Sequence, residues 1–256
     1  MDTVDPVASE FSPELAPAPF RPSARARPDH ATSQNGLPLR FAGDVPLLPV
    51  VTPRREAAFI AKRGLDIILA TIALLLLWPL LLLLAIAVKL TSRGPLLFGQ
   101  VRTGLHGTPF TILKFRTMHA EQGDATGFAQ TRPEDNRVTP FGRLLRRTSL
   151  DELPQLFNVL AGDMSIVGPR PHPVRMLAAG TDYDRLVPYY AMRHTVRPGL
   201  SGWAQANGLR GPTDSEPLAR ARIDHDIAYI QNFSLWLDLK TIWLTVRHEL
   251  WRGNGI

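Results

Sequence analysis

Cysteine is absent from this sequence, so a disulfide framework, a thiolate metal site and a cysteine nucleophile are all excluded. Any metal must be held by oxygen or histidine. The opening residues, Met1-Asp2-Thr3-Val4-Asp5, lack the basic start and apolar core of a secretory signal, and export is not expected. There is no Walker phosphate loop, no GxGxxG after a strand, no HExxH and no histidine pair at zinc spacing. Gly199-Leu200-Ser201-Gly202 falls short of a nucleophile elbow, which leaves a serine hydrolase unsupported. No internal repeat is visible.

Positive charge, by contrast, is in excess. The 256 residues hold 29 Lys and Arg against 23 Asp and Glu, a net charge of +6. Such a balance points to a polyanionic partner, whether nucleic acid, an anionic bilayer surface or a phosphate-rich substrate. The length suits one domain, because the stretch up to about Pro53 holds 10 of the 23 prolines and no sustained apolar period. Residues 1–56 are therefore expected to form a disordered tail. Its Arg21, Arg25, Arg27 and Arg40 suit contact with anionic lipid or simple solubility equally well.

The longest apolar run decides between these partners. Ile67 to Val88 is 22 residues without a charge, and a bilayer core of about 30 Å needs about 20. Membrane contact is expected, and a nucleic-acid partner is not. Pro79 lies near the midpoint, where it has no N–H to give and crowds the carbonyl of Leu75, so a bend or break is predicted there. Each arm is then about 12 residues and about 18 Å long, enough to reach mid-bilayer. Arg54, Arg55, Lys62 and Arg63 precede the run, and Lys89, Arg93 and Arg102 follow it. The positive-inside rule is best satisfied with both ends in the cytoplasm, as a re-entrant hairpin over residues 65–90. A kinked spanning helix stays open.

Beyond Leu90 the chain is polar enough for a folded domain lying on the membrane. Phe110 to Met118 alternates like a strand, with Phe110, Ile112, Lys114 and Arg116 on one face, so two cations project together. Leu153, Leu156, Phe157 and Leu160 have the spacing of a helix packed on one side. Phe233 to Trp251 sets Trp236, Leu239, Trp243, Val246, Leu250 and Trp251 along one helical face. That pattern suits a helix in the headgroup layer or one covering a soluble core. The predicted class is mainly α with a small β element.

The best candidate site is Arg146-Arg147-Thr148-Ser149-Leu150-Asp151-Glu152-Leu153-Pro154. Two adjacent carboxylates open a helix there, and a helix N-terminus favours bound phosphate and an ionised Asp. Arg146 and Arg147 add guanidinium groups suited to phosphate. Ser149-x-x-Glu152 also reads as a capping box, which would leave Glu152 a structural task. Pro154 fits better in a helix that starts at Asp151, with Asp151 as the cap. Further on, Gly168-Pro169-Arg170-Pro171 forms a stiff turn that presents Arg170 in a fixed direction. Asp163 reads as a hard-cation ligand or a turn residue.

These segments, with Lys62-Arg63-Gly64-Leu65-Asp66, Lys114-Phe115-Arg116-Thr117-Met118, Gly162 to Pro171 and Arg197-Pro198-Gly199-Leu200-Ser201-Gly202-Trp203, resemble the bacterial sugar transferases. These are the monotopic polyprenyl-phosphate phosphoglycosyl transferases, and the resemblance runs from about Ala57 to Arg252, within a catalytic domain of residues 57–256. It implies that Asp151 and Glu152 form a catalytic dyad, with Asp151 attacking the β-phosphate of a UDP-sugar, expelling UMP and forming a covalent phosphosugar intermediate. Undecaprenyl phosphate then takes the sugar 1-phosphate. Magnesium bound at Asp151 and phosphate clamps at Arg146, Lys114, Arg116 and Arg170 are implied as well. So are an anionic bilayer as partner, a Pro-broken re-entrant helix with interfacial amphipathic helices, and the cytoplasmic face of the bacterial inner membrane. The segment Gly202 to Gly211 looks like that of the hexose-1-phosphate transferases that begin exopolysaccharide repeat units, and a homodimer is compatible with the resemblance.

Overall fold

The computed structural model of the chain describes residues 30–32, 37–119 and 135–252. Three short antiparallel strands come first: β1 (His30–Thr32), β2 (Pro38–Ala42) and β3 (Val45–Pro46), with His30 opposite Arg40 and Phe41 opposite Pro46. They revise the expected tail. Leu39 and Phe41 alternate inward and are buried, Phe41 edge-on to Tyr189. The side-chain amide of Gln231 donates to the carbonyls of Arg40 and Leu47, and that of Asn232 donates to Pro38. Two inward apolar side chains and a set of amide bonds offset the ordering of a proline-rich strand pair, which composition alone does not reveal. Residues 37–56 of the proposed tail thus pack on the domain, while residues 1–29 and 33–36 lie outside the described residues.

Helix α1 (Pro53–Thr91) follows, with Pro53 in its first turn and the Thr52 hydroxyl accepting the Arg55 N–H. It remains helical through Pro79, so the predicted break does not interrupt the helix. It is the one described helix long and apolar enough to cross a membrane, and only 11% of its most apolar stretch is buried. Leu75, Leu76, Trp78 and Leu83 are all exposed.

The polar residues at its start are a docking latch. Lys62, expected as a membrane-flanking cation, is buried against Asp238 at 2.7 Å, and the Tyr229 hydroxyl donates to the same carboxylate. Arg63 donates to the carbonyls of Val159 and Leu160, and Asp66 accepts the Ile166 N–H. Buried charges at these positions need partners more than they need lipid headgroups. At the far end Leu84 and Val88 pack against Phe115 and Leu145. Both ends of α1 therefore rest on one domain, as Arg55 also donates to Ile230.

The next pair is a hairpin, β4 (Leu97–Thr103) with β5 (Pro109–Phe115), in register from Leu97↔Phe115 to Thr103↔Pro109. Helix α2 (Pro140–Arg147), capped by Thr139, comes next, then a single 3-10 turn (Leu150–Glu152) and α3 (Gln155–Ala161). A short parallel pair joins β6 (Ser165–Val167) to a later strand, and between them lie β7 (Leu177–Ala178), β8 (Thr181–Asp182) and α4 (Tyr183–Leu186). The partner of β6 is β9 (Gly199–Ser201). Helices α5 (Trp203–Ala206), α6 (Glu216–Gln231) and α7 (Leu235–Arg252) complete the described elements. The class is mainly α with small β elements, as expected.

Among the described residues three apolar clusters hold these pieces. The largest gathers Ile223, Ile227 and Tyr229 of α6 with Tyr183, Val187 and Trp203. A second joins Ala70 to Ile112, Leu156, Val159 and Met164, and the third is the Leu84 and Val88 contact. Helix α7 turns its polar Asp238 and Thr241 inward with Leu237, while Trp236 (76% exposed), Leu239, Trp243 and Val246 face out. Helix α7 thus covers the core through Leu237, Ile242 and Leu244 and carries a second apolar stripe on its outer face.

Candidate active site

The carboxylates arrive at the site through a backbone reversal. Ser149 takes φ 55°, a left-handed conformation that costs a serine on the order of 1–3 kcal/mol. The reversal separates α2 from the Leu150–Glu152 turn. Ser149 makes no capping hydrogen bond there, and Pro154 rather than Asp151 precedes α3. The capping box and the Asp151 cap are thus both corrected: the Glu152 carboxylate is engaged elsewhere. Its Oε1 accepts from Lys114 Nζ at 2.7 Å and from Arg170 Nη2 at 2.5 Å, and its Oε2 accepts from Arg170 Nη1 at 3.2 Å.

Asp151 is buried, yet among the described residues its carboxylate accepts no hydrogen bond. The two neighbours therefore differ in their electrostatics. Burial pushes the Asp151 carboxyl up to about 6 against the pull of Lys114, and the Glu152 charge adds to the rise. Burial acts on Glu152 in the same sense, but Arg170 and Lys114 overcome it and hold that carboxyl below its ordinary value. Glu152 stays a fixed charge, and Asp151 is the more basic of the pair while remaining mostly ionised at neutral pH.

The dyad opens into a cavity of about 510 Å³, within the size range of small-ligand sites. Its described lining includes eight Lys and Arg side chains against the three carboxylates of Asp151, Glu152 and Asp226. Arg146 lies there, its Nε donating to the Thr117 hydroxyl at 2.8 Å. Lys114 and Arg170 are on the same wall. Arg116 is not: β5 ends at Phe115, and the next side chain turns to donate to the Ser92 carbonyl, the Ser92 hydroxyl and the Pro95 carbonyl. It ties down the exit of α1, which corrects its expected place beside Lys114. Asp163 accepts from the Asn158 amide at the end of α3 and does not line the cavity.

Sequence reasoning did not place three further lining residues, Arg102, Arg193 and Asp226, at the site. Arg102 lines the cavity, donates to the Pro171 carbonyl at 3.2 Å and also bonds Gln100, and burial lowers its pKa to about 10. The alternation Phe98, Gln100, Arg102, all three lining the cavity, is the signal that would have found it. Arg193 and Asp226 form a buried pair with two bonds of 2.9 and 2.7 Å, and Arg193 also donates to the Arg170 carbonyl at 2.6 Å. No local pattern announces that pair, because its members are 33 residues apart.

The model of one family, bacterial sugar transferase, matches residues 57–252, which takes in every residue just described. The chain belongs to that family. This sugar transferase is 50% identical over 196 residues to the exopolysaccharide production protein PSS of Rhizobium leguminosarum bv. phaseoli, covering 77% of the chain and 98% of that protein. It is 50% identical to a UDP-glucose:undecaprenyl-phosphate glucose-1-phosphate transferase of Caulobacter vibrioides, covering 89% of the chain and 80% of the relative. A transferase of the same name from Xanthomonas campestris pv. campestris is 46% identical, across 82% of the chain but only 44% of the relative's length. The sugar transferase thus spans nearly all of one relative and less than half of another.

Two histidines of this sugar transferase, the buried His172 and the half-buried His194, give a stability signature. His172, with Nδ1 3.0 Å from the Tyr190 hydroxyl, is held well below its usual pKa by burial and by Arg193, Arg222 and Arg102, and His194 is lowered to about 3 by burial and Arg193. A histidine lowered in the fold leaves the unfolded chain binding more protons once pH drops below about 6.5. Its stability contribution is complete above that value and is lost as pH falls toward the folded pKa. The melting temperature of the native chain should therefore fall more steeply than that of His194→Gln between about pH 7 and 5. Parallel acid limbs in thermal melts would show that His194 is protonated in the fold.

Proposed function

We propose that this chain transfers a hexose 1-phosphate from a UDP-sugar to undecaprenyl phosphate, with Asp151 as nucleophile and UMP as leaving group. The observation that carries this reading is the buried Asp151 carboxylate, which accepts no hydrogen bond among the described residues, beside an ionised Glu152 salt-bridged to Lys114 and Arg170 in a cation-lined cavity. Asp151 Oδ forms a bond to the sugar-bearing phosphorus as the bond to the bridging oxygen breaks, and UMP leaves with that oxygen and its electron pair. An oxygen of the lipid phosphate then attacks the same phosphorus, giving the lipid diphosphosugar and returning the carboxylate.

Carboxylate attack on a diphosphate meets like-charge repulsion, which Lys114, Arg146 and Arg170 are positioned to screen. The Glu152 bonds hold Lys114 and Arg170 in fixed orientation before substrate arrives. Among the described residues no group of three or more acidic or histidine side chains forms a self-contained metal site. A magnesium ion would instead be held by Asp151 together with substrate phosphate oxygens, a common mode for this cation, and would supply charge neutralisation.

The membrane geometry belongs to the same reading. A helix spanning a bilayer cannot rest both ends on one soluble domain, and Arg55 and Val88 both contact the domain that holds the site. This supports an α1 that stays on one side of the bilayer with its domain, although the helix runs on through Pro79 without the break a hairpin would need, and it supports the exposed stripe of α7 in the headgroup layer at the cytoplasmic face of the inner membrane.

Two of the relatives described above are named for UDP-glucose, so glucose is the donor sugar to expect. Purified protein in lipid nanodiscs, given UDP-glucose and undecaprenyl phosphate, should release UMP and form lipid-linked glucose phosphate. Release of UDP instead of UMP would indicate plain glycosyl transfer and defeat the reading.

A further inference from the structure

The cavity lining includes apolar side chains that a sugar nucleotide, polar along its length, does not need, among them Phe98, Leu153, Leu200, Ile242 and Val246. Two helices present apolar stripes outward, α1 and α7, and only one of them borders the cavity: among the described lining residues none comes from α1, while Ile242, Thr245 and Val246 come from α7. Val246 belongs to both surfaces. It lines the cavity and is 50% exposed on the same face as Trp236, Leu239 and Trp243. One turn of α7 is thus the place where the apolar cavity wall and the outward apolar stripe are continuous. A hydroxyl pair, Ser201 Oγ to Thr245 Oγ1 at 2.5 Å, anchors this turn to β9.

We propose that the α7 turn from Ile242 to Val246 is the doorway through which an isoprenoid phosphate passes from the bilayer to Asp151, its first isoprene units lying against Leu200, Leu153 and Phe98. This rests on the reaction proposed above and specifies where its acceptor enters. A phosphate on an apolar chain needs a path whose walls change from apolar to cationic. The cavity lining holds both kinds of wall: Val246, which also reaches the outer surface, and Lys114 and Arg170, which bond the Glu152 carboxylate beside Asp151. Because α1 lines none of it, the membrane helix anchors the domain, whereas α7 admits the lipid.

Two experiments on the full chain in nanodiscs test the doorway. Val246→Trp keeps the surface apolar but narrows the passage, so the KM for undecaprenyl phosphate should rise about tenfold while that for UDP-glucose and the melting temperature stay unchanged. Independently of any variant, undecaprenyl phosphate carrying a diazirine on its first isoprene unit should, on photolysis with the native protein, label residues 242–246. Label confined to α1, a rise in the donor KM alone, or unchanged constants in Val246→Trp would each overturn the proposal. If the native chain turns over neither substrate, the reaction itself fails, and that result is distinguishable from the others because it precedes any comparison of variants.

Discussion

Asp151→Asn should abolish UMP release, by at least about 10³-fold, while leaving the protein membrane-bound and no less stable. The substitution keeps the shape of the side chain and removes only the nucleophilic charge. Stability should not suffer, because burial disfavours the Asp151 charge, and among the described residues no hydrogen bond to that carboxylate is lost. A melting temperature equal to or above that of the native chain is therefore expected alongside the lost turnover, the usual relation between a functional group and the fold that strains to hold it. The identity of the nucleophile can be read directly. Enzyme stopped in acid after exposure to donor alone should carry the added mass of a hexose phosphate on the peptide containing Asp151, and the Asn variant should carry none. Turnover in the Asn variant comparable to that of the native chain would assign the chemistry to another group.

The parts of this site legible in the sequence were those written as contiguous runs. The paired carboxylates and the Gly168-Pro169-Arg170-Pro171 turn each announce themselves within about ten residues, the range over which periodicity and turn chemistry act, and outside the site the 22-residue apolar stretch announces itself by its length. Arg116 shows where that range ends. Strand alternation assigned it to the face of Lys114, but the strand stops one residue earlier, and a buried guanidinium went to the nearest open carbonyls. Lys62 and Arg63 looked like membrane-flanking cations because their partners, Asp238 and the end of α3, are distant in sequence. Leu39 and Phe41 were hidden by a different effect. A short strand beside prolines is stable only through side chains supplied by α6, and such tertiary rescue leaves no local mark.

Arg193→Met should lower stability by about 3–5 kcal/mol, because it strands a buried Asp226 charge without its partner. For a domain of this size that corresponds to a fall of roughly 10 °C in melting temperature. Replacing both members, as Arg193→Met with Asp226→Leu, removes the orphaned charge along with the pair, and much of the loss should return. Activity should not return with it. Arg193 also donates to the Arg170 carbonyl, so it steadies the segment that aims Arg170 at Glu152. The folded double variant should therefore melt near the native temperature but turn over about tenfold to a hundredfold more slowly, as expected when a positioning contact to a charged group is lost. If stability and rate recover together, the pair is a packing device alone; if the rate stays low in a restored fold, the bond from Arg193 to the Arg170 carbonyl is what keeps Arg170 in place beside the dyad.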